Sequence, residues 1–145
     1  MVSVQFMYTY DVQYPEFDCY EVKEMGQVDA TGALEAFRSF PFRELILKAE
    51  ALGPDSTAPT MSFRSKSDEA SLSFCMRSPD YGEVRMENAG DEVTVGPVDD
   101  QVMIDAITTF FFESHSGLFE RLAIRPKAVV HRRLWNQLRS LFSKR

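Results

Sequence analysis

Residues suited to acid–base or nucleophilic chemistry are few in this chain and widely spaced. The densest group is Glu113-Ser114-His115-Ser116-Gly117, which sets a carboxylate, an imidazole and two hydroxyls at the end of a helical pattern. A carboxylate that orients an imidazole beside a hydroxyl is the arrangement of nucleophilic catalysis, and a small enzyme centred on His115 is one reading. The same residues suit a helix end, where the dipole stabilises a histidine and Ser-Gly stops the helix. The helix-end reading is preferred, so no catalytic residue is assigned. His131, the second of the two histidines, falls between Val130 and Leu134 on an apolar stripe and reads as a packed or interfacial ring.

Metal binding needs convergent ligands, and Cys19, Cys75, His115 and His131 form none of the close pairs seen in structural zinc sites. Asp99, Asp100 and Asp105 resemble a divalent-ion cluster, but helix capping and a solvated face explain them more simply. No metal or cofactor is therefore expected. The two cysteines, in a chain whose Met1-Val-Ser-Val-Gln-Phe start lacks the features of a secretory signal, read as reduced thiols of a cytoplasmic protein. No Gly-x-Ser-x-Gly elbow, phosphate loop, dinucleotide fingerprint or His-Glu-x-x-His is present.

Charge carries more information than any motif. All 22 acidic residues lie at or before Glu120, whereas eight of the 16 Lys and Arg residues follow it. An acidic body thus ends in a basic tail, a distribution associated with interaction surfaces. The net charge of −6 disfavours nucleic acid, whose affinity depends on neutralising phosphates. An acidic body instead attracts basic proteins, and Asp80, Asp91, Glu92, Asp99 and Asp100, all beside expected turns, are the candidate partner contacts.

These residues need elements to hold them. Alternation of Val2, Val4, Phe6, Tyr8 and Tyr10 with polar neighbours predicts a first strand, and residues 17–25 predict an edge strand paired with it. Leu34 and Phe37, then Phe42, Leu45, Ile46, Ala49 and Leu52, carry helical spacing interrupted by Pro41, so a short helix and a second one near 41–52 are expected. Strands near 60–65, 70–77, 82–88 and 92–96, separated by Gly, Pro, Asn and Asp, predict an antiparallel meander. Helices follow at 98–113 and near 117–124. Phe112, on the polar side of the first of these, calls for cover from another element. From Pro126 onwards Val130, Leu134, Trp135, Leu138, Leu141 and Phe142 form one stripe, flanked by Arg132, Arg133 and Arg139, which predicts a basic amphipathic helix.

The expected fold is α+β: an antiparallel sheet of about six strands in the order ββα-ββββ-αα, covered on one face by helices. Residues 1–125 would form one acidic domain and residues 126–145 a basic helix docked on it. Exposed, that helix offers a membrane-surface or scaffold attachment through Trp135 and Phe142, or a route to homo-oligomers.

A short acidic α+β chain with a meander and the segment Ala106-Ile-Thr-Thr-Phe-Phe-Phe-Glu113 resembles, over residues 1–120, the immunity proteins of bacterial polymorphic toxin systems. The resemblance implies a non-enzymatic inhibitor that binds a cognate toxin and blocks its active site, with a basic toxin domain as the expected partner.

Overall fold

A computed structural model describes residues 7–133. Tyr10 and Val12 turn toward the core on β1 (Tyr8–Gln13), while Thr9, Asp11 and Gln13 turn away, as the period-2 spacing requires. Residues 1–6, and with them Val2 to Phe6 of the expected alternation, lie outside the described residues. The partner strand β2 is Lys23–Val28, later than the 17–25 expected. The reason is local: the Asp18 carboxylate accepts from the backbone N–H groups of Tyr20 and Glu21, curling this stretch into a turn.

Helix α1 (Ala30–Ser39) starts at Asp29, whose carboxylate accepts from the Gly32 N–H at 2.7 Å. Phe40 is extended ahead of Pro41, and α2 (Phe42–Leu52) begins afresh. The meander is present as β3 (Thr60–Ser65), β4 (Ser71–Ser78), β5 (Tyr81–Asn88) and β6 (Asp91–Val98). Helices α3 (Asp100–Phe112) and α4 (His115–Ala123) follow, capped by the side chains of Asp99 and Ser114.

The last described element corrects the expectation of a helix from Pro126. Residues 124–127 turn, with Lys127 at φ 64°, and Val129–His131 form a strand, β7, antiparallel to β6. Val129 and Val130 are β-branched and suit a strand, and the edge of β6 offers them a pairing partner. Val129–His131 consequently extend the sheet. The remainder of the expected basic helix, including Trp135, Arg139 and Phe142, lies outside the described residues.

The result is a seven-stranded antiparallel sheet among the described residues, in the order β2-β1-β3-β4-β5-β6-β7. Alternation divides it into two faces. Met61, Phe63, Leu72, Phe74, Val84, Met86, Val93 and Val95 point toward the helices, where Phe37, Phe42, Met103, Ile107, Phe110, Leu118 and Phe119 complete one core. Helix α3 rests on β4 and β5, α4 on β5 and β6, and α2 on β4. Burying each of the three fully enclosed phenylalanines, Phe63, Phe74 and Phe110, contributes roughly 1.5–3 kcal/mol. The other face carries polar side chains and, among the described residues, no helix. Phe112, expected to need cover, is 73% exposed in the described structure.

Candidate functional site

His115 stands just past the C-terminus of α3, as the helix-end reading has it, and also opens the next helix. Ser114 caps α4 by accepting from the Gly117 N–H at 3.2 Å, which makes His115 the first residue of α4 and places Gly117 inside it. The ring lies against Phe110, stacked at 4.4 Å between centroids. Its Nδ1 meets Asp68 Oδ2 at 2.5 Å, and its Nε2 meets the Phe110 carbonyl at 2.9 Å. The Tyr8 hydroxyl also donates to that carbonyl, at 3.2 Å, and lies 3.3 Å from Nε2. Phe110 O belongs to the last turn of α3, where carbonyls have no partner within the helix, so His115 and Tyr8 satisfy an orphan acceptor. Both ring nitrogens are occupied by bonds that tie β1, the β3–β4 turn and α3 together. Burial, then the Asp68 charge, raises the Tyr8 hydroxyl above its ordinary pKa. Burial tends to raise Asp68, but hydrogen bonds from His115, Ser65 and the Ala70 N–H outweigh it and leave the carboxyl below its usual value. The constellation has the elements of a triad, but the hydroxyl beside Nε2 is that of Tyr8, raised in pKa and donating to the Phe110 carbonyl that Nε2 also meets.

The uncovered sheet face forms a groove of about 870 Å³, bordered by the loop 54–58 and by Asp18 and Cys19. Its floor includes the Ser62–Ser73 hydroxyl pair at 2.8 Å. Three arginines cross it, and each is matched by a carboxylate: Arg64 with Asp11 at 3.0 Å, Arg77 with Glu83 at 3.3 Å, and Arg85 with Glu92 at 2.7 Å and Glu87 at 3.3 Å. Cys19 and Cys75 both line the groove and both are free thiols. Burial pushes the Cys75 thiol up, against a weaker opposing hydrogen bond from Thr60, which is the opposite of nucleophilic activation. The face is a charge-neutralised mosaic.

A third feature lies at the end of the sheet where β4 turns into β5 and β6 leads into α3. Here a hollow of about 490 Å³ opens between the α1–α2 junction and the Pro79–Gly82 turn, lined by Phe37, Phe40, Phe42, Phe74, Met76 and Tyr81. Phe40 and Phe42 interlock edge to face at 4.7 Å, and Phe42 meets Phe74 in the same manner at 5.2 Å. Asp80, Asp99 and Asp100 stand on its rim.

The five candidate partner contacts thus divide. Asp80, Asp99 and Asp100 come together at the hollow. Asp91 and Glu92 lie at the opposite end of β6 and are engaged within the molecule: Asp91 accepts from the Arg133 N–H at 2.8 Å, and Glu92 from Arg85. Arg132 makes a two-pronged pair with Glu120 at 2.9 and 3.0 Å, and its guanidinium lies 5.4 Å from the Phe119 ring. His131, expected on an apolar helical stripe, is exposed on β7 opposite Glu92. The aromatic walls were missed because Phe37, Phe42 and Phe74 read simply as core. The Pro79-Asp80-Tyr81-Gly82 turn, which lifts an aromatic ring beside an acid, was the signal that could have found them. No group of three or more metal-ligating side chains occurs among the described residues, and none of their helices is long and apolar enough to cross a membrane.

Comparison with family models, curated proteins and solved structures finds no match to this chain.

Proposed function

We propose that this chain is a non-enzymatic protein-binding module, an immunity-type inhibitor that captures and neutralises a basic toxin partner. The observation that carries the reading is that Asp80, from the β4–β5 turn, meets the neighbouring pair Asp99 and Asp100, from the start of α3, on the rim of one aromatic-lined hollow. Interfaces that bind tightly combine buried aromatic anchors with a polar rim, and complementary charge accelerates encounter. The other predicted acids, Asp91 and Glu92, serve internal bonds, so the acidic end of the sheet is where recognition is assigned.

Asp99 also caps α3 through bonds to the N–H groups of Gln101 and Val102, so its replacement would disturb the fold. The test therefore uses Asp80→Lys/Asp100→Lys in the full chain. A partner is first retrieved from host lysate with the wild-type protein, then its association is measured at several salt concentrations. The double variant should associate about tenfold more slowly, with a flatter salt dependence. Co-expression of the wild type should also relieve the partner's toxicity, and the variant should do so less well. Unchanged association, or a partner without toxicity, would overturn the respective part of the proposal.

A further inference from the structure

We infer that the hollow at the acidic end of the sheet is a receptor for an arginine side chain presented by the partner. The inference deepens the protein-binding reading and rests on it for its biological sense. Size comes first: about 490 Å³ falls within the roughly 300–1,000 Å³ of sites that hold small groups, and exceeds what one side chain fills, leaving space for flanking backbone. The floor is rigid. A Cβ added at Gly82 would lie 2.3 Å from Phe74 Cζ and 2.9 Å from the Cys75 carbonyl oxygen, so strand backbone and ring are in direct contact. The walls are aromatic, and Tyr81 remains 41% exposed beside half-buried Phe40, leaving ring surface without a protein partner among the described residues.

Charge selects the occupant. Glu44, Asp80, Asp99 and Asp100 outnumber Arg38 and Arg43 around the opening, so the hollow favours a cation. Several carboxylates elsewhere are held by cations, as Asp11 is by Arg64, Glu83 by Arg77, Asp68 by His115 and Glu120 by Arg132. Glu44, Asp80 and Asp100 form no ion pair among the described residues. A guanidinium meets both demands at once, because its face stacks on an aromatic ring while its edge donates in a fork to carboxylates. The compact, strongly hydrated ammonium of lysine matches the walls less well.

The experiment titrates isotope-labelled full-length protein with N-acetyl-arginine amide, its lysine counterpart and its citrulline counterpart, following backbone amide and Tyr81 ring resonances. Arginine amide should shift Tyr81, Gly82 and Asp100 saturably in the millimolar range, lysine amide should bind several-fold more weakly, and citrulline, equal in shape but uncharged, should leave them unmoved. Asp80→Asn and Tyr81→Ala should each weaken arginine binding about fivefold; both residues are exposed, so the fold should be retained. Equal shifts from citrulline, or arginine shifts spread over the acidic surface but not at the hollow, would overturn the inference. A toxin partner whose capture depends on Asp80 and Asp100, found together with an unresponsive hollow, would leave the protein-binding reading standing and remove this one.

Discussion

Asp68 and His115 are 47 residues apart, and their bond joins the β3–β4 turn to the start of α4. The depressed Asp68 carboxyl has a consequence for stability against pH. A carboxyl whose pKa is lower folded than unfolded binds fewer protons in the native state, so its contribution is complete above the unfolded value of about 3.9 and disappears as pH falls through the folded value. Asp68→Asn should therefore lower the urea midpoint more at pH 7 than at pH 3. A charge-assisted hydrogen bond contributes roughly 1.5–3 kcal/mol, but with the Asp68 side chain 45% exposed a loss of about 1 kcal/mol is expected at pH 7. Equal destabilisation at both pH values would show that packing, not the ionised bond, carries the effect. The residues of this cluster were legible one at a time: His115 stood out in the sequence, whereas Tyr8 and Asp68 carried no mark of their role.

At the scale of elements, periodicity located most of the fold. Both helices around Pro41 and the four meander strands lie within a few residues of where spacing and turn chemistry put them, because each is amphipathic toward one core. The errors fall where a segment has two comparable options. Phe17 to Val22 reads as extended until Asp18 captures two backbone N–H groups, and Val129-Val130-His131 continues a helical stripe until the edge of β6 is there to pair with it. The β7 ladder, the Arg132–Glu120 fork and the Asp91 bond to the Arg133 N–H should hold these residues as part of the domain. A chain ending at residue 125 is thus expected to melt several degrees below one ending at residue 133, a difference of about 1–2 kcal/mol from the lost strand and bonds. Identical melting would mean that β7 adds nothing to the cooperative unit.

Taken as a whole, the molecule has three surfaces with different electrical character. The uncovered sheet face neutralises its own arginines, the far end of β5 and β6 is bonded to Arg85, Arg132 and Arg133, and the hollow's rim keeps an excess of carboxylates. A basic partner received at the hollow should therefore be steered there by that local excess. Raising ionic strength from about 0.01 to 0.15 M shortens the screening length from roughly 30 to 8 Å. Association of the wild-type protein with the proposed basic partner should slow by about an order of magnitude over that range while dissociation changes little, as stopped-flow or surface-based kinetics would register. A dissociation rate that carries the whole salt effect would place the charges in short-range contacts instead of in steering.

The sequence by itself determined the fold class, the number and order of most elements, and the acidic character of the body, because periodicity, turn residues and net charge are local or additive properties. Only the tertiary structure decided which acids act together. Asp80, Asp99 and Asp100 meet because antiparallel pairing returns the end of β6 beside the β4–β5 turn, and Asp91 and Glu92 are diverted because the same pairing carries the start of β6 to the opposite end, beside β7. The hollow likewise depends on Phe40, Phe74 and Tyr81 arriving from three separate elements, a coincidence in space that no spacing along the chain encodes.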